Sequence, residues 1–132
     1  MFAPVHGFSG FSVNTIDEAR QFYGETLGLE VSEEGMGILT IVLPGGASVI
    51  AYPKGAAHEP ATFTILNFVV DDIDSAVAAL NASGVETKIY DDEPGMPPTD
   101  SLGVMRGKAT GAGPDIAWVR DPAGNVLSVL CD

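Results

Sequence analysis

Basic residues are scarce in this 132-residue chain, which carries 6 Lys and Arg against 18 Asp and Glu for a formal net charge of -12. Nucleic acid is excluded as a partner, because binding to phosphate backbones rests on Lys and Arg displacing counterions. Anionic membrane surfaces are disfavoured for the same reason. With Cys131 as its single cysteine, the chain can form no internal disulfide. No apolar run approaches the roughly 18 to 20 residues of a membrane span, and the start Met1-Phe2-Ala3-Pro4-Val5-His6 has neither the basic residues nor the apolar stretch of a signal peptide. A cytoplasmic location is expected. What the chain does have is 45% hydrophobic residues, enough for a domain that buries roughly two-thirds of its unfolded surface. One domain over residues 1–132 is expected.

The chain also repeats itself. Phe11-Ser12-Val13-Asn14-Thr15-Ile16-Asp17-Glu18-Ala19 returns 57 residues later as Phe68-Val69-Val70-Asp71-Asp72-Ile73-Asp74-Ser75-Ala76, with five of nine positions identical. Pro44-Gly45-Gly46-Ala47-Ser48-Val49 is echoed by Pro122-Ala123-Gly124-Asn125-Val126-Leu127 at an offset of 78, so the second copy carries an insertion. The copies span about 6–55 and about 62–131. Acidity is shared: seven acids against two bases leave -5 on residues 1–66, and eleven against four leave -7 on 67–132.

In the first copy a strand over 8–13 leads to a helix at Thr15, where Thr15-Ile16-Asp17-Glu18 has capping-box spacing. The stripe Ile16, Ala19, Tyr23, Leu27 keeps the helical period and Gly28 supplies the C-cap. Strands follow around Val31, over 38–43 and over 48–52, the last two joined by a Pro44-Gly45-Gly46 turn. The second copy predicts a strand over 64–70, a helix capped by Asp72 and closed by Gly84, and strands near 85–90, 115–120 and 125–130. Each half reads βαβββ, an α+β class. Between its second and third strands, Asp91 to Gly113 is a Pro-, Gly- and acid-rich loop of the length expected of a lid.

This order, together with Val13-Asn14-Thr15-Ile16-Asp17-Glu18-Ala19-Arg20-Gln21-Phe22-Tyr23, Leu27-Gly28-Leu29, Val70-Asp71-Asp72-Ile73-Asp74 and Asp121-Pro122-Ala123-Gly124-Asn125, resembles the vicinal oxygen chelate superfamily of glyoxalases, bleomycin-resistance proteins and extradiol dioxygenases. The resemblance implies two tandem βαβββ modules whose curved mixed sheets surround a cleft, often completed across a homodimer. Enzymes of that family hold a divalent metal with His, Gln or Glu on the first and last strands of each module. The corresponding positions here are Phe8, Ile50 or Ala51, Ile65 and Ser128. An aromatic ring, aliphatic side chains and a neutral hydroxyl cannot hold an ion against water, so neither metal nor other cofactor is expected.

Other chemistry is thinly signalled. His6 lies two residues before Phe8 and one histidine makes no site; His58, in a loop between the copies, reads as solvated. Cys131 reads as a small apolar filler at a strand end. No nucleophile elbow or phosphate loop is present, for Gly103 to Gly113 lacks the strand-then-helix setting such a loop needs. The expected cleft lining is therefore Phe8, Ile50, Tyr52, Ile65, Asn67, Trp118 and Ser128, with Met96 and Met105 near the lid. Such a lining suits a small organic ligand. By resemblance to the bleomycin-resistance proteins, the expectation is metal-independent binding of an antibiotic-like molecule, aromatic or cationic. A cation would be favoured by Asp91, Asp92, Glu93 and Asp100 on the loop. The alternative is a metal-dependent lyase, isomerase or dioxygenase of the glyoxalase type with shifted ligands, His6 among them.

Overall fold

Apolar side chains alternate along β1 (Ser9–Val13), β3 (Ile38–Val42) and β4 (Ser48–Pro53), so that Phe11, Val13, Leu39, Ile41, Val49 and Ala51 are buried between polar or half-exposed neighbours. The computed structural model describes residues 1–90, 94–95 and 98–132, and these form two units, Met1–Pro60 and Ala61–Asp132. In the first unit β2 (Glu30–Glu34) completes a sheet of order β1-β4-β3-β2. β1 runs parallel to β4 and the other pairs are antiparallel. Against its buried face packs α1 (Ile16–Arg20), which passes directly into a π-helical turn over Gln21–Thr26. Phe22 and Tyr23 meet edge-on at 5.0 Å, and Tyr23 packs against Phe11 at 5.7 Å. The capping box does not form: the Thr15 side chain caps nothing, and Asn14 Oδ1 accepts the Thr15 N–H instead. Gly28, at φ 74°, ends the helix as expected, with Leu29 N–H reaching the Tyr23 carbonyl.

The second unit repeats the plan. β5 (Thr64–Val69), α2 (Ile73–Ala82), β6 (Met105–Arg106), the short α3 (Gly107–Thr110), β7 (Asp115–Arg120) and β8 (Val126–Cys131) give a sheet of order β5-β8-β7-β6, with β5 parallel to β8. Asp72 caps α2: its Oδ1 accepts from the N–H groups of Asp74 and Ser75, and its Oδ2 from the Ser75 hydroxyl. Those bonds, led by the Ser75 N–H, hold the carboxyl below its ordinary value. Ile73 and Val77 of α2 pack on Ala117 and Val129 of the sheet, with Val104 beside them.

The strand expected over 85–90 is absent, and Met105–Arg106 takes its place at the sheet edge. Val85 and Thr87 do point inward and Glu86 outward, which is the alternation that reads as a strand. Their partners, however, lie in the inserted loop: Thr87 Oγ1 donates to the Leu102 carbonyl at 2.6 Å, and a Cβ on Gly103 would sit 2.0 Å from the Thr87 carbonyl oxygen. The segment is thus pinned to 102–103 and the insertion supplies the edge strand.

One five-residue loop recurs. At Asp121–Asn125 the first residue's N–H donates to the fifth residue's carbonyl and the fourth N–H, from Gly124, returns to the first carbonyl. Leu43–Ala47 and Asp100–Val104 make the same two bonds, with Gly46 and Gly103 in the fourth place. All three glycines have φ between 83° and 99°, where a Cβ is strained.

Candidate functional site

Side-chain alternation gives each sheet a second face, opposite its helix. On the second sheet, Ala117, Val119, Leu127 and Val129 are buried, and the intervening residues turn the other way. The register then aligns them in rows: Asn67, Ser128 and Trp118 lie side by side across β5, β8 and β7, and the next row is Val69, Leu130, Ile116 and Met105. Ser128 is fully buried and forms the floor; Trp118, Ile116, Leu130 and Met105 are half-buried, while Asn67 and Val69 are exposed. The Ser128 hydroxyl donates to Asn67 Oδ1 at 2.5 Å, and the Tyr90 ring stands edge-on to Trp118 at 5.6 Å. The register shift between Thr64 and Leu66 leaves half-buried Ile65 without a partner on β8.

Four expected residues therefore meet on this face, namely Asn67, Met105, Trp118 and Ser128, with Ile65 at the shift. Sequence spacing missed Ile116 and Leu130, although strict period-two counting from Trp118 and Ser128 would have found both. Met105 also borders a cavity of about 500 Å³ lined by Pro98, Thr99, Asp100, Val104, Arg106, Gly107, Thr110 and Ala112, a volume within the range of small-molecule sites. The expected Met96, with Asp91, Asp92 and Glu93, lies outside the described residues.

The first sheet holds the remaining expected residues. Ile50 and Tyr52 alternate with buried Ala51 on β4, pairing with Gly10 and Ser12 of β1. A Cβ on Gly10 would lie 3.0 Å from Ile50 Cγ1, so the glycine lets Ile50 lean over β1. Phe8 stands before the strand, 66% exposed, with the His6 ring at 6.2 Å. His58 is not simply solvated: it is half-buried and its Nδ1 shares a 2.8 Å hydrogen bond with the Ser12 hydroxyl. Among the described residues no three His, Cys, Asp or Glu side chains gather closely enough to hold a metal ion. Cys131 packs against the α2 core, as a filler would, and its Sγ also donates to the Asp71 carbonyl.

Two charges of the inserted loop, Arg106 and Asp100, are committed. Arg106 forms a two-pronged pair with Asp74 of α2, at 2.6 and 3.3 Å, and its Nε reaches Asp100 at 3.2 Å. Asp100 Oδ1 accepts from the Leu102 and Val104 N–H groups, both at 2.9 Å. Burial works against the charged form of Asp100, but those N–H groups and Arg106 outweigh it and hold the carboxyl below its ordinary value. A carboxylate so depressed stabilises the fold at neutral pH and loses that contribution as the pH falls below about 4 and through its folded-state value. Asp100→Asn is therefore expected to flatten the acid limb of stability below about pH 4, read by urea unfolding across pH; an unchanged limb would show that the carboxylate does not anchor the loop. Asp100 is thus a turn-former rather than an open acid awaiting a cation.

Residues 7–129 match the model of the Glyoxalase/Bleomycin resistance protein/Dioxygenase superfamily, and the chain belongs to that family. Its fold, two four-stranded mixed sheets each backed by a helix, is that of the family. Among solved structures, the chain is similar to TnmS3, an antibiotic-binding protein from Streptomyces sp. CB03234, at 21% identity over 98% of both chains with a TM-score of 0.63. It is also similar to a lactoylglutathione lyase from Agrobacterium tumefaciens, at 19% identity over 98% of this chain and 95% of that one, TM-score 0.61. A third, a superfamily member from Sphaerobacter thermophilus DSM 20745, is 22% identical over 97% and 98% of the two chains, TM-score 0.64. No curated protein matches the chain. No helix among the described residues is long and apolar enough to cross a membrane.

Proposed function

We propose that the chain is a metal-independent binding protein for a small, aromatic, antibiotic-like molecule, which it seats on the second-sheet face. The observation that carries this is the row Asn67, Ser128, Trp118: an aromatic plane and an amide set over a buried floor, flanked by Ile116, Leu130 and Met105. Apolar and aromatic surface supplies affinity in such sites and a few polar groups set orientation. The donor set argues against a metal at the family's positions, since Phe8, Ile50 or Ala51, Ile65 and Ser128 offer no imidazole or carboxylate. The antibiotic-binding protein among its structural neighbours supports the ligand class. In this reading residues 1–132 act as one domain in the cytoplasm, and the chain is a homodimer, expected to scatter light as a species of twice 13.7 kDa; a 13.7 kDa species alone would count against it.

Trp118 is the only tryptophan, so its fluorescence reports on the face directly. A naphthalene-sized aromatic probe is expected to quench or shift that emission, and to do so equally after exhaustive dialysis against EDTA. Trp118→Leu is expected to weaken binding by about tenfold or more, followed by isothermal titration, because an aromatic anchor at the centre of a site carries roughly 1.5 kcal/mol or more. Binding that vanishes with EDTA and returns with zinc, nickel or iron would overturn the metal-independent reading.

A further inference from the structure

Resting on the binding reading above, we infer that the ligand presents an anionic oxygen acceptor beside its aromatic ring, and that Arg120 receives it. Arg120 follows Trp118 at a strand's period of two on β7, opposite Val126 of β8, which puts it on the same face about 6 to 7 Å along. It is exposed. In a chain with 18 acids to 6 bases, both other arginines are doubly paired: Arg20 with Asp17 and Glu33, Arg106 with Asp74 and Asp100. Among the described residues Arg120 takes no carboxylate within 4.0 Å.

The neighbouring groups have the same polarity. Asn67 Oδ1 already accepts from the Ser128 hydroxyl, so the amide NH₂ of this exposed residue is the group left with both its hydrogens to donate, and the buried Ser128 oxygen is out of reach. The Trp118 indole and the Arg120 guanidinium are donors only. With only the Tyr90 hydroxyl beside Trp118 able to accept as well as donate, donors predominate and select a ligand that brings oxygens, and a guanidinium fork fits a carboxylate or sulfonate best. Asp100 of the inserted loop does not reverse this, since it is held by Arg106 and by the turn. At about 0.15 M salt, charges more than about 8 Å away are screened, whereas a contact pair is not. The total charge of -12 therefore does not decide the sign of the ligand.

Three probes sharing one ring test this at that ionic strength by isothermal titration: 2-naphthoate, 2-naphthamide and 2-naphthylmethylammonium. The carboxylate is expected to bind about tenfold more tightly than the ammonium, the effect of one charge-assisted contact. Arg120→Gln, at an exposed position where folding is checked by circular dichroism, is expected to bring the two within about twofold and to leave the amide unchanged. Equal binding of all three, a preference for the ammonium, or a preference that survives in Arg120→Gln would each overturn the inference while leaving the binding reading intact. Failure of all three probes to bind at millimolar concentration would remove both.

Discussion

Gly103→Ala is expected to cost about 3 kcal/mol or more, lowering the thermal midpoint by roughly 10 °C. Two effects add. The residue sits at φ 86°, where an alanine is strained by roughly 1 kcal/mol. Its new Cβ would also lie 2.0 Å from the Thr87 carbonyl oxygen, 2.6 Å from the carbonyl carbon and 2.8 Å from Lys88 Cα. Those atoms are all backbone, so no rotamer change relieves the clash. The 85–90 segment has to move away from the inserted loop, breaking the Thr87 hydroxyl bond to Leu102. Gly111→Ala separates the contributions, since Gly111 has φ 69° with nothing within 4 Å of its Cβ position; about 1 kcal/mol is expected there. Equal costs for the two variants in urea unfolding would show that the close approach is not a constraint.

Asp121→Ala is the second large loss, expected at about 3 kcal/mol. Asp121 and Asn125 are 5% and 2% exposed. Asp121 Oδ1 accepts the Asn125 N–H at 2.8 Å and Oδ2 accepts its side-chain Nδ2 at 3.2 Å. Asn125 Oδ1 in turn accepts the Ala61 N–H at 3.0 Å, so the loop also holds the start of the second unit. Removing the carboxylate leaves buried donors without their acceptor, which costs more than the bonds contribute on balance. Asp121→Asn retains an acceptor oxygen and is expected to lose only about 1 kcal/mol. If alanine and asparagine prove equally mild, the carboxylate is not what closes the loop.

The repeated wording at Phe11 and Phe68, and at Pro44 and Pro122, made the two βαβββ units legible, because each phrase encodes a strand-to-helix entry or a tight loop that the fold uses twice. Asp72 was legible as a cap for a similar reason: its partners, Asp74 and Ser75, lie only two and three residues on. What could not be read were relations set by distant chain. Val85 to Tyr90 alternates like a strand, yet its neighbour is Gly103, and no local pattern announces that contact. Thr15 has capping-box spacing, but its side chain caps nothing, and the Thr15 N–H that Glu18 would have taken goes to Asn14 Oδ1. On the candidate face, Trp118 and Ser128 were legible as chemistry, whereas their lying in one row with Asn67 depends on the register of three strands. Asp100 misled as an open acid because its partners, Arg106 and the N–H groups of Leu102 and Val104, are fixed only by the turn.

Of the four edge strands β1, β2, β5 and β6, β2 and β6 have features that bear on how copies of the chain meet. An unpaired strand edge is a template on which another chain can add its own strand and begin a growing aggregate. β6 offers only two residues, Met105 and Arg106, too short a row of free N–H and C=O groups to seed one. β2 is longer, but Glu30 and Glu34 stand exposed along it beside the Arg20-paired Glu33, and two copies approaching edge to edge would set those like charges against each other. Part of the acid surplus thus serves as a guard against polymerisation, a task that neither ligand nor core would reveal.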